Sequence, residues 1–132
     1  MKRDFYANDI KTRKAAARKA CHEYIRERDK GKPCICCGEP LGDDYHAGHY
    51  FSDGGHSLTR YHEDNIHGQR LHCNLFKHGD SGGYKENLIK KIGVDRYRYL
   101  EENKNRIVKR TAQDYAEIER YFKEKLEKLK QL

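Results

Sequence analysis

No stretch of this 132-residue chain approaches the ~20 consecutive apolar residues that a membrane-spanning helix needs. The opening residues, Met1-Lys2-Arg3-Asp4-Phe5-Tyr6, lack the apolar run of a secretory leader, so the chain reads as cytoplasmic with no membrane partner. Apolar residues are scarce throughout: 36% are hydrophobic against 37% charged, and mean hydropathy is −1.16. A core built from so little must be thin, and a metal staple would help a domain this small. Internal repeats and low-complexity tracts are also missing, which excludes solenoids and arrays. Wholesale disorder is not expected either, because ten tyrosines and four phenylalanines supply aromatic mass for packing.

Charge is unevenly spread. The net charge is +7, and residues 1–32 carry eleven Lys/Arg against five Asp/Glu, leaving about +1 for the other hundred residues. Such asymmetry points to an anionic partner at the N-terminal end, with nucleic acid favoured. A membrane surface fits less well, since the basic segment has no large apolar face opposite its charges. The bland alternative is a solvated helix face.

Four of the five cysteines and seven of the eight histidines fall within residues 34–78. Disulfides are rare in the cytosol, so Cys34-Ile35-Cys36-Cys37 reads as metal-ligating rather than as part of a disulfide framework. Cys34 and Cys37 have the spacing by which one knuckle offers two thiolates to a tetrahedral zinc, and Gly38 allows the tight turn behind them. Cys73 is a third ligand. His72, His67 and Cys36 are each conceivable as the fourth, because position 70, where a second C-x-x-C would begin, holds Arg70.

Periodicity predicts an α+β, mostly helical chain read as one domain over 1–132. It divides into a basic helical region over 9–30, a metal core over 33–80 and a helical C-terminal region over 84–132. Small and apolar residues Ala17, Cys21, Tyr24 and Ile25 recur at helical steps within 9–29, with Asp9 available as a cap. Residues 33–40 form the knuckle. Residues 45–51 and 57–62 read as strands joined by a hairpin at 52–55, and a helix capped by Asp64-Asn65 is expected over about 66–78. Helices follow at 84–92 and 94–103, broken at Gly93. A Thr111/Asp114 capping box opens a last helix to about 130, striped by Tyr115, Ile118, Phe122, Leu126 and Leu129. That neutral helix reads as a packing or dimerising arm, so a homodimer is possible.

Phosphodiester hydrolysis needs a group to activate water, charge neutralisation at the phosphate, and help for the leaving oxygen. A histidine suits the first task near neutral pH, and a divalent ion with open positions suits the others. His49 sits before the expected turn. Asn74 and His78, four apart on the expected helix, share a face and can grip one ion, with His46 or Asp44 adding a ligand from the strand. His22, His56 and His62 read as surface residues. Lys11, Arg13, Lys14, Arg18, Lys19 and Arg26 form the phosphate-tracking surface, extended by Lys32, Arg60, Arg70 and Lys77.

The order C-x-x-C, His before a Gly-Gly turn, Asn, then Cys73-Asn74 with Lys77 resembles the HNH, or ββα-metal, nucleases. More narrowly, the chain resembles the NinG (Rap) recombination proteins of lambdoid phages. Ile25-Arg26-Glu27-Arg28-Asp29, the Pro33–Gly38 knuckle, Ala47-Gly48-His49-Tyr50, Asn65-Ile66-His67 with Gln69, and Cys73-Asn74 carry that resemblance, which spans about residues 20–130. It implies a small ββα-metal core with a zinc knuckle and a structure-specific endonuclease for branched recombination intermediates such as Holliday junctions and D-loops, working in the host cytoplasm. It further implies His49 as general base, Asn65 orienting the site, Asn74 and the residue at 46 holding magnesium or manganese, and Cys34, Cys37 and Cys73 holding structural zinc. Two positions depart from the pattern: Arg70 replaces a zinc cysteine, and His46 stands where an aspartate is usual. Imidazole there removes a negative charge and shifts preference towards softer ions. The competing readings are a non-catalytic zinc-binding DNA module and a helical interaction protein.

Overall fold

In the computed structural model, the backbone is described for residues 2–76 and 81–132 and side chains for 9–73 and 83–132. Helix α1 (Lys2–Arg28) is followed by the knuckle, strand β1 (Tyr45–His49), a long loop with two 3-10 turns, strand β2 (Ile66–Arg70) and helix α2 (Leu71–Phe76). Helices α3 (Ser81–Ile92), α4 (Val94–Asn103) and α5 (Ala112–Lys130) complete the chain. The class is therefore α+β and mostly helical, with one two-stranded sheet among the described residues. Among the described residues no helix is long and apolar enough to cross a membrane.

Three local expectations are corrected. Residues 57–62 are not a strand: Thr59–Tyr61 is a 3-10 turn, and β1 pairs antiparallel with β2 instead, His46 opposite Gln69 and His49 opposite Ile66. The expected hairpin at 52–55 is thus the start of a long connection. Residues 66–70 are strand rather than helix, and the helix starts only at Leu71. The run is apolar and polar by turns, and its partner strand, far off in sequence, decides the outcome. Asp9 does not cap α1, which begins at Lys2; its carboxylate pairs with Arg13 at 2.9 Å.

Among the described residues, two cores hold the fold. Ala17, Ala20, Cys21, Tyr24 and Ile25 of α1 face Tyr115, Ile118, Phe122, Leu126 and Leu129 of α5. Small residues on α1 let the α5 aromatics approach, and the Tyr24 and Phe122 rings lie 5.7 Å apart. The α5 stripe is thereby used inside the chain, the packing role expected for this helix. The Thr111/Asp114 capping box is present. The second core joins the knuckle (Cys34, Ile35, Leu41) to Tyr84 and Leu88 of α3 and to Tyr97 and Leu100 of α4. Helices α3 and α4 break at Gly93, whose φ of 90° suits glycine.

The buried carboxylate of Asp29 ties these parts together. It accepts from Gly68 N of β2 at 2.7 Å and from Arg28 Nε at 2.8 Å, and Lys91 of α3 lies 3.2 Å away. Burial opposes ionisation, but the Arg28 hydrogen bond and charge, with Lys91, hold it far below the usual carboxylate range.

Candidate functional site

The cysteine centre is assembled by short-range chain geometry. Cys34 N donates to Glu39 O at 2.7 Å and Gly38 N to Cys34 O at 2.9 Å, while Gly38 takes φ 77° to close the turn. Cys73, in the first turn of α2, brings a third sulfur. The ligand atoms of Cys34, Cys37 and Cys73 lie within 4.8 Å of one another. Three convergent thiol sulfurs are a donor set that suits zinc, with one position of a tetrahedron left to fill. The hydrogen bond from the Cys36 thiol and the N–H of Arg70 pull Cys34 down to about 4 against burial, favouring the thiolate a metal needs.

None of the three conceivable fourth ligands joins that group. Cys36 turns inward, where Gln69 Nε2 donates to its sulfur at 2.8 Å. His67 Nε2 donates to Asp64 O at 2.7 Å, and its Nδ1 lies 3.2 Å from Arg28. His72, assigned to the zinc from sequence, lies outside the cluster. Arg70 instead projects a guanidinium to 3.6 Å from Cys37 Sγ, and its backbone N–H donates to Cys34 Sγ at 3.3 Å.

The histidine pocket is built from segments far apart in the chain. A cavity of about 350 Å³ is lined by Arg18 and His22 of α1, by His46, Ala47, Gly48 and His49 of β1, and by Ser52 and Asp53 of the following loop. Strand β1 is pinned from behind by Tyr84, whose hydroxyl donates to Gly48 O at 2.6 Å. Gly48 is glycine because a Cβ there would collide with the buried Gln69 amide across the ladder.

His49 Nε2 lies 2.9 Å from Arg60 O. A carbonyl can only accept, so Nε2 carries the proton, and in the neutral ring Nδ1 keeps its lone pair. Burial lowers the His49 pKa, outweighing Arg60 O and Asp53, which pull the other way, so the neutral ring is favoured. Asp53 is held by two cations: Arg18 Nε donates to Oδ2 at 2.8 Å, and Arg60 Nε donates to Asp53 O at 2.7 Å and lies 3.4 Å from Oδ1.

Asn65 is fully buried and does not cap a helix. Its amide accepts from Phe51 N at 2.9 Å and donates to Phe51 O at 3.0 Å and Thr59 O at 3.1 Å. It braces the loop that carries both Asp53 and Arg60. Lys11, Lys14, Arg18, Lys19 and Arg26 are exposed along α1, although Arg13 is engaged by Asp9 and Arg26 covers the Tyr45 ring. The Asn74 side chain, Lys77 and His78 lie outside the described residues; α2 itself runs against both strands.

His22 is the correction of most consequence. Read as a surface residue, it lines the same cavity as His49, with ring centroids 5.4 Å apart. The signal was its place four residues after Arg18, on one face of a basic helix. Asp53 was missed as a charged wall of the pocket, and nothing in its local sequence marks it as one.

Residues 3–131 match the family model described as Bacteriophage Lambda NinG protein. The chain is 35% identical over 114 residues to Protein ninG of Escherichia phage lambda, covering 86% of this chain and 55% of that protein. It is 33% identical over 114 residues to Protein ninG of Salmonella phage P22, covering 86% and 56%. Against Protein ninG of Enterobacteria phage H19B it is 38% identical over 90 residues, covering 68% and 45%. The chain spans about half the length of the curated relatives it matches. No solved structure matches it.

Proposed function

The chain belongs to the NinG family of bacteriophage proteins, and from that premise we propose that it is a metal-dependent, structure-specific DNA endonuclease of the HNH kind, cleaving branched recombination intermediates such as Holliday junctions and D-loops. The observation that carries this reading is the state of His49. Its Nε2 proton is committed to Arg60 O, burial favours the neutral ring, and Nδ1 keeps a lone pair beside a pocket that also holds the Arg18 guanidinium. That is the arrangement a general base needs to take a proton from water beside a phosphodiester. Asn65 keeps Arg60 O in place by bracing its loop, and so acts on the base through the backbone. The exposed lysines and arginines of α1 track the DNA backbone without reading sequence.

His46 of β1, with Asn74 and His78, would hold magnesium or manganese. When bound, such an ion neutralises phosphate charge and supports the departing oxygen. Cys34, Cys37 and Cys73 would hold zinc as a structural clamp between the knuckle and α2.

Incubating the purified protein with junction, flap and duplex DNA and each divalent ion in turn tests the reading. Cleavage of the branched substrates is expected. His49→Ala should lower kcat by roughly 10²–10⁴-fold while DNA binding is retained. Binding without cleavage by the unaltered protein would make it a non-catalytic zinc-binding DNA module instead.

A further inference from the structure

The proposed reaction uses His49, yet a second imidazole shares its pocket from the opposite wall. His22 stands on α1 one turn after Arg18, so both side chains leave the same face of the helix and line the same cavity. Among the described residues no hydrogen bond engages either ring nitrogen of His22; its partner is the His49 ring. The ring is only partly buried, and the cavity it lines leaves it reachable by a ligand. Arg18 is in a similar position. Only its Nε is committed, to Asp53, and Asp53 retains Arg60 as a cation if Arg18 turns away.

A phosphodiester presents two non-bridging oxygens and one negative charge. We propose that Arg18 and His22 form a phosphate clamp on α1, the guanidinium taking one non-bridging oxygen and an imidazole N–H donating to the other. The clamp sets the scissile phosphate against His49 Nδ1. His22 is thus a substrate-contacting residue, and α1 is part of the active site as well as a surface for the DNA flanks. This rests on the endonuclease reading for its catalytic consequence, but not for phosphate binding itself. Burial, reinforced by Arg18 and His49, lowers the His22 pKa to about 4, so the ring at pH 7 is neutral and offers one N–H donor and one acceptor nitrogen. Donation by a neutral N–H is a task that a glutamine amide can share.

Two measurements test this. First, inorganic phosphate is titrated into the unaltered protein while the His22 ring nitrogens are followed by NMR. A saturable shift is expected, weakened by about tenfold or more in Arg18→Ala through loss of a charge-assisted contact. An unmoved His22 resonance, or a shift indifferent to Arg18→Ala, overturns the clamp. Second, cleavage of branched DNA is compared in His22→Ala and His22→Gln. The alanine variant should lose about 100-fold in kcat with KM changed less than about twofold, and glutamine should recover at least about tenfold of that. Alanine with unaltered kcat, or glutamine as poor as alanine, overturns it. If the unaltered protein cuts no DNA with any ion, the endonuclease reading fails, and the phosphate titration still decides the clamp.

Discussion

The cysteine knuckle and the histidine pocket teach opposite lessons about how a chain this small makes a site. The knuckle is local. Two of its sulfurs come from one turn fixed by Gly38, and only Cys73 travels from elsewhere. The pocket is global, with α1, β1 and the loop after β1 each contributing a wall. A local site needs little from the fold beyond a place to sit. A global site inherits every weakness of the packing that brings its walls together. The link between them is Asp29, which joins the end of α1 to β2 and α3. The knuckle leans on the same strand, where Ile35 N donates to Gly68 O at 3.0 Å.

On the proposed endonuclease reading, the sharpest way to break the pocket while sparing the knuckle is His49→Ala: kcat should fall by roughly 10²–10⁴-fold, with any metal held by the thiols unchanged. Asp29→Asn attacks the link instead. It leaves the Arg28 and Lys91 charges without their carboxylate, and loss of one partner from such a buried set costs about 3–5 kcal/mol. Chemical denaturation should show that loss. Stability within about 1 kcal/mol of the parent would mean that Asp29 does not join the two regions.

A smaller effect separates the regions by pH. His67 is a residue of β2, and its burial, with Lys91 and Arg28 nearby, lowers its pKa from 6.5 to about 3. The folded state therefore binds its proton later than the unfolded chain does as pH falls. The stability tied to neutral His67 is complete above pH 6.5 and drains away as pH drops towards 3, by about 3 kcal/mol between pH 6.5 and 4. His67→Gln should flatten the stability curve over that window, and curves of equal slope would reject the assignment. His22, lowered to about 4, acts in the same direction on the pocket side.

What sequence could reveal follows the same division. The knuckle, Cys73, the Gly93 break and the Thr111 capping box were legible because each depends on spacing or on one residue's backbone preference. The helical stripes of α1 and α5 were legible from period alone, although not that they meet each other. Illegible were the partner of β1, the shift of Asn65 from helix cap to loop brace, and the entry of His22 into the pocket. Each depends on a contact across the fold. Residues 66–70 show why: their five residues satisfy a helix or a strand equally until β1, seventeen or more residues earlier, supplies a ladder.

Arg70 is where local and global requirements meet, and it offers the smallest but most diagnostic change. It ends β2, so its backbone is fixed by the sheet, yet its N–H and guanidinium both address knuckle sulfurs. Three thiolates and one zinc ion carry a net charge of −1, which a nearby guanidinium offsets without completing the tetrahedron. A cysteine at the same backbone position would complete it with a fourth sulfur, at the cost of a further negative charge. Zinc prefers closed four-coordinate sites when its role is structural, so coordination should outweigh the added repulsion. Arg70→Cys is expected to hold zinc at least about tenfold more tightly against a competing chelator, while phosphate binding at the pocket stays as it was. Equal retention would mean that the fourth position is already filled by a ligand other than Arg70. Looser retention would mean that the guanidinium's charge, rather than the missing sulfur, governs the centre.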